Sequence, residues 1–121
     1  MDRGFEFTVS LVPPSVNHYV KHTRSGVHYV TKEVKAFKWA VALAAREAGV
    51  EPINAKRYSV AFEVLLGKGQ KGDADNFSKV ILDSLTDARL IVSDARVVNV
   101  SAKKSRDWNN PRTVISVLAL S

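Results

Sequence analysis

The chain contains no cysteine, which excludes disulfides and thiolate metal sites together. No apolar run approaches the ~20 residues needed to span a bilayer. The first residues, MDRGFEFTVSLVPP, lack the basic-then-apolar layout of a secretory signal. There is no repeat, linker or low-complexity tract. The expectation is a soluble cytoplasmic protein with no membrane association.

What is present is a chain of 121 residues, a length that suits one compact domain over 1–121, and 45% of it is apolar, enough for a core. A disordered chain would be poorer in Val, Ile, Leu and Phe. Eighteen Lys and Arg against twelve Asp and Glu give a net charge of +6. A basic domain of this size points to a polyanion, most often nucleic acid; the ordinary alternative is that the charge serves solubility alone.

Residues 5–12 (FEFTVSLV) alternate apolar and polar side chains, as a strand does, and Pro13-Pro14 stop it. Residues 15–30 form a long polar connection carrying His18, Lys21, His22, Arg24 and His28. Thr31 is a helix N-cap candidate. After it, Val34, Phe37, Ala40, Val41, Ala44, Ala45 and Ala48 keep helical spacing, and Gly49 can stop the helix. Lys32, Lys35 and Lys38 lie off that stripe, on a face that is either merely solvated or in contact with phosphate. Residues 57–66 (RYSVAFEVLL) read as a strand, followed by the glycine-punctuated loop GKGQKGD with Lys68 and Lys71. A second helix is predicted over residues 74–88, with Phe77, Val80, Ile81, Leu82 and Leu85 inward. Residues 90–92 and 96–102 read as extended, and residues 113–120 as a last strand. The order β–α–β–α–β–β predicts an α+β domain, a mixed sheet packed against two helices.

The chemistry-bearing stretch is Gly72-Asp73-Ala74-Asp75-Asn76-Phe77-Ser78-Lys79, followed by Asp83 and by Ser93-Asp94. Mg²⁺ takes oxygen ligands, usually one or two carboxylates with water and substrate phosphate. Phosphodiester cleavage uses such ions to activate water and to stabilise the leaving oxygen. Acids at the centre with bases around them are what that chemistry needs. Two residues apart on a helix lie ~200° apart, so Asp73 fits best just before the helix as its N-cap, with Asp75 in the first turn, where the helix terminus favours negative charge. A helix from Asp75 to Ala88 carries the chain ~20 Å away, and six extended residues back to Asp94 cover ~20 Å. Asp94 can therefore rejoin the other two acids if the chain returns along the helix. Lys79 lies one turn past Asp75, placed to hold a phosphate. The ordinary alternative is a capping Asp73, a surface ladder Asp75–Lys79–Asp83 and a turn aspartate at 94.

The stretch GDADNFSKVILDSLTDARLIVSDARVV resembles the signature region of the RusA-like Holliday-junction resolvases: D-x-D-N, a lysine, an acid-and-leucine stretch (LDSLT) and an acidic position before Val-Val. LVPPSVNHYVKH resembles the family's N-terminal strand and PPS-x-N stretch, and the likeness covers roughly residues 7–103. It implies that Asp73, Asp75 and Asp94 are metal-binding catalytic acids and that Lys79 is the basic residue of the site. Asn76 fits as a helix-start residue or a supporting donor. It also implies Mg²⁺ as cofactor, with Mn²⁺ as a substitute, a homodimer, and paired nicks across a four-way DNA junction in recombination and repair. Two identical sites about a two-fold axis suit symmetric cutting. DNA contacts are expected from Asn17, Lys21, Arg24, Lys35, Lys68, Lys71 and Asn76, mostly to shape and phosphates.

Two positions depart from the family. Ser93-Asp94 stands where adjacent acids are frequent, and GKGQKG replaces an arginine run before the first acid. The basic stretch from Lys21 to Lys38, with Lys103, Lys104 and Arg106, can compensate. His18 and His22 have a helical metal-ligand spacing, but Pro13-Pro14 and the absent periodicity oppose a helix there. Trp39 reads as packing or interface, Trp108 lies in a polar DWNNP turn, and Phe77 reads as core from its spacing. Two other functions compete: a basic module that binds nucleic acid without cutting, and a related nuclease acting on flaps or RNA. A binding module needs no three-carboxylate pocket, which is costly without a cation.

Overall fold

The computed structural model describes residues 3–14, 20–22 and 28–120. Six strands and two helices follow in the order β1 (Gly4–Val9), β2 (Val20–His22), β3 (His28–Val30), α1 (Lys32–Glu47), β4 (Arg57–Leu66), α2 (Ser78–Asp87), β5 (Val97–Arg106) and β6 (Arg112–Leu120). Turns of 3₁₀ helix precede α2 at Ala74–Phe77 and β5 at Asp94–Arg96. The main sheet has the strand order β1-β6-β4-β5, with β5 parallel to β4 and the other pairs antiparallel. This is the α+β architecture expected, a mixed sheet with two helices.

Three local expectations change. Residues 15–30 are not wholly irregular, because β2 and β3 form a separate antiparallel pair within them. The second helix opens as a 3₁₀ turn and becomes α-helical only at Ser78. Residues 90–92 form bends rather than a strand, and β5 extends to Arg106.

Helix α1 starts where its cap dictates. The Val34 amide donates to Thr31 Oγ1 at 3.4 Å, satisfying one of the amides a helix start leaves open. Val34, Phe37, Val41 and Ala45 form its buried stripe. Gly49, at φ 71°, ends it, with the Val50 amide reaching back to the Ala45 carbonyl at 2.9 Å. In α2 the buried residues are Val80, Ile81, Ser84 and Leu85. Both stripes join Tyr58, Val60, Phe62, Val64 and Leu66 of β4 and Ile115 and Val117 of β6 in one core. Each fully buried Val, Ile or Phe contributes about 1.5–3 kcal/mol.

The register gives the sheet two ends. Gly4, Arg57, Val97 and Leu120 share one end, whereas Val9, Leu66, Arg106 and Arg112 share the other. The connection β4–α2–β5 is a crossover between parallel strands, so it leaves from the Leu66 end and re-enters at the Arg57 end.

Candidate active site

The loop after β4 places the first two acids. The Gly67 amide donates to Gln70 Oε1 at 2.7 Å and the Gln70 amide to the Gly67 carbonyl at 3.2 Å, closing a tight turn. Gly72 has φ 152°, and a Cβ there would overlap the Phe77 ring, 2.8 Å from its Cε1. Only glycine lets the backbone lie on that buried ring. Phe77, fully buried, is thus the anvil on which the turn into Asp73 is set, and its role as core is the one its spacing predicted.

Asp73 takes the N-cap position of the 3₁₀ turn and Asp75 lies in that turn's first residues. The Asn76 amide donates to the Asp73 carbonyl at 3.0 Å. The Asp73 carboxylate makes no capping hydrogen bond. Both side chains are exposed. An aspartate serving only as a cap would spend its oxygens on the turn's amides; Asp73 does not. Lys79 Nζ lies 3.5 Å from Asp83 Oδ2, an i,i+4 pair that turns the lysine along α2.

Asp94 is elsewhere. The Leu90 amide donates to the Leu85 carbonyl at 3.0 Å, wrapping the chain over the C-terminal end of α2. The Ile53 amide donates to the Leu90 carbonyl at 3.0 Å. The Tyr58 hydroxyl, wholly buried, donates to the Ile53 carbonyl and accepts from the Ala55 and Val92 amides, each at 3.1 Å. These bonds hold residues 90–92 at the Arg57 end of the sheet. The return along α2 that would bring Asp94 back to Asp73 and Asp75 does not occur within one chain. Asp94 follows the C-terminal end of α2, and the other two acids precede its N-terminal end, about 15 Å earlier for ten residues at 1.5 Å each. Among the described residues no three His, Asp or Glu side chains gather closely enough to hold one metal ion. Asp94 itself is exposed, and the cap of its 3₁₀ turn is Ser93, whose Oγ accepts from the Ala95 amide at 3.1 Å. At this turn the capping is therefore done by Ser93 and not by Asp94.

A two-carboxylate set still fits the donor chemistry of Mg²⁺, which completes its shell with water and phosphate. Asp73 and Asp75 share one exposed turn, whereas Asp94 lies beyond the far end of α2.

The basic residues divide by place. Lys68 and Lys71 are exposed on the loop that leads into Asp73, and Lys35 is exposed on α1. Lys71 also lines a 430 Å³ cleft with Pro13, Glu33 and Phe37 at the same end. Lys21 lies in β2, with its side chain outside the described residues, as are Asn17, Arg24 and His18. Trp39 is 71% exposed on α1.

One feature at the Leu66 end was not legible as a unit. Arg106 Nη1 donates to the Gly67 carbonyl at 2.9 Å and Nη2 to the Gln70 carbonyl at 3.3 Å. The same guanidinium lies over the Trp108 ring, 5.3 Å from its centroid. Asp107 receives Arg112 Nη1 at 2.8 Å, which holds its carboxyl below the usual range, with burial opposing. Arg106 and Trp108 are two apart at a strand end, a spacing that puts side chains on one side, but nothing in the sequence shows that β5 reaches the lysine loop.

A family model described as "Endodeoxyribonuclease RusA" matches residues 11–118. The chain is 32% identical over 92 residues to the crossover junction endodeoxyribonuclease RusA of Escherichia coli strain K12, covering 76% of each chain. It is 29% identical over the same length, with the same coverage, to proteins of that name from Shigella sonnei strain Ss046 and Enterobacteria phage 82. With the D-x-D-N turn built on Gly72 and Phe77, the chain belongs to the RusA endodeoxyribonuclease family.

Proposed function

We propose that this protein is a Mg²⁺-dependent endodeoxyribonuclease that resolves four-way DNA junctions by paired, symmetric nicks during recombination and repair. It acts as a homodimer on intracellular DNA in the cytoplasm, and Mn²⁺ substitutes for Mg²⁺. The observation that carries this reading is the pair Asp73 and Asp75, exposed on a turn that Gly72 makes possible, beside Lys68 and Lys71. The relatives' printed activity, crossover junction endodeoxyribonuclease, supplies the substrate class.

The residues divide the work. Asp73 and Asp75 hold the cation, which activates water and stabilises the leaving oxygen when bound. Lys79 holds the scissile phosphate, and its ammonium offsets charge that develops there. Lys68, Lys71 and Lys35 hold the flanking backbone, a sequence-independent and salt-sensitive contact. Asn76 supports the turn. Because α2 separates Asp94 from the other acids in one chain, a site that uses all three is completed between two chains of the dimer.

The test is incubation with a labelled synthetic four-way junction and a matched linear duplex, with Mg²⁺ and with EDTA. Paired nicks confined to the junction and abolished by EDTA are the expected result. Tight junction binding without cleavage in any divalent metal would overturn the nuclease reading and leave a binding module. Equal cleavage of a labelled flap, run as a third substrate, would replace the junction with a broader class of branched DNA.

A further inference from the structure

The exposed indole of Trp108 stands on a platform at the acidic end of the sheet, and the way that platform is fastened says what it is for. The turn between β5 and β6 is laced to the loop that delivers Asp73. The Asp107 amide donates to the Leu66 carbonyl at 2.9 Å. Arg106 clamps the Gly67 and Gln70 carbonyls. Pro111 packs so closely on Gly67 that a Cβ there would lie 3.1 Å from its Cγ. Arg112 reaches both the Asp107 carboxylate at 2.8 Å and the Asn110 carbonyl at 3.0 Å. Every neighbour of Trp108 in the turn is tied down.

Trp108 itself is 58% exposed although Arg106 lies against its ring. Exposed large apolar side chains occur elsewhere on the surface, Trp39 among them; what sets Trp108 apart is a turn fastened to the loop before Asp73 and a guanidinium lying over its ring. The surroundings are cationic: Lys68 and Lys71 on the loop, and Lys104 on the same face of β5 as Arg106, are all exposed. Asp73 follows Gln70 by three residues, so it lies within about 10 Å of a carbonyl that Arg106 holds.

Resting on the nuclease reading above, we propose that Trp108, backed by Arg106, is a stacking platform for a nucleobase unpaired at or beside the branch point. An open ring amid lysines matches an unstacked base next to phosphates, because base–aromatic stacking tolerates any base while cations track the backbone. The fastening lowers the ordering cost of that contact. It also restores, from β5 and its turn, cationic grip beside a loop that has only two lysines of its own.

The experiment uses the chain with Trp39→Phe, which leaves Trp108 as its one tryptophan. Its fluorescence is followed during titration with a four-way junction and with a linear duplex of the same sequence, in EDTA. Quenching by the junction and little change with the duplex are expected. Trp108→Ala should weaken junction binding roughly 5- to 150-fold, the effect of losing one base stack, with duplex binding nearly unchanged. Trp108→Phe should recover most of the loss. If the junction binds and is cut with Mg²⁺ while Trp108 fluorescence stays constant, the platform is wrong and the nuclease reading stands. If the unsubstituted chain shows no preference for the junction over the duplex, the junction reading fails and the platform fails with it.

Discussion

The two ends of α2 are built on opposite terms. At the C-terminal end the bonds are closed: Tyr58 gathers Ile53, Ala55 and Val92, and Leu90 and Ile91 are buried against it. At the N-terminal end the turn is fixed by Gly72 on Phe77, yet the carboxylates on it are left open. Asp94 shows the same openness from the closed end, because Ser93 does the capping there. The contrast therefore lies in the support, with a wholly buried hydroxyl behind the approach to Asp94 and a ring-and-glycine contact under Asp73 and Asp75.

The sharpest way to break this comparison is Asp75→Asn. Junction cleavage should fall by about three orders of magnitude or more, while junction binding holds or tightens, since a negative charge facing a polyanion is removed. Gel shift and cleavage on one junction separate the two. Asp94→Asn should fail equally, and mixing the two inactive proteins tests where the third acid belongs. If the site forms between chains, mixed dimers hold one intact site, and unpaired nicks return at about a quarter of the normal site count. A mixture that stays inactive would place Asp94 in its own chain's chemistry.

Next in size is Tyr58→Phe. It strands a buried carbonyl and two part-buried amides and should cost about 1–3 kcal/mol in urea unfolding. A loss below about 1 kcal/mol would show that water replaces the hydroxyl. Smaller still is Arg89→Gly. Arg89 has φ 60° at the end of α2, a conformation that disfavours side chains, so glycine should stabilise by about 0.5–1 kcal/mol.

The least effect comes from acid. The Ser105 hydroxyl, donating at 2.6 Å, holds the Glu63 carboxyl below its usual range, assisted by Lys103 and opposed by burial. Arg112 does the same for Asp107. Both folded values are depressed, so the stability they add is present above the ordinary values of 4.5 and 3.8 and fades as pH falls through the folded ones. Asp107→Asn should therefore be less stable than the unsubstituted chain at neutral pH and converge with it in acid melts as pH falls through the depressed carboxyl.

Much of this was readable from residues that act locally. Thr31 and Gly49 mark the ends of α1 because caps depend on neighbours three or four positions away. β4 was bounded correctly at 57–66 because its alternation matches a half-covered sheet. The N-cap place of Asp73 followed from spacing. What escaped depends on distant partners. Three-residue strands such as β2 and β3 are too short to carry a period. The direction taken after α2 is decided by Tyr58, more than thirty positions earlier, so an apolar Leu-Ile-Val run read as a strand is instead a plug. The Arg106–Trp108 pairing with the glycine loop needs β5 to lie parallel to β4, which only the crossover sets.

The strand order has a consequence for how the chain reaches this state. β6 lies between β1 and β4, pairing Gly4 with Leu118 and Arg57 with Leu120. During synthesis β1 therefore waits, with an unsatisfied edge, for a partner more than a hundred residues away. Such distant pairing slows folding and lengthens the exposure of sheet edges. Loss of β6 would leave β4 paired with β5 and β1 without a partner, rather than a shortened sheet, so a chain lacking β6 should depend on chaperones far more than one that has it.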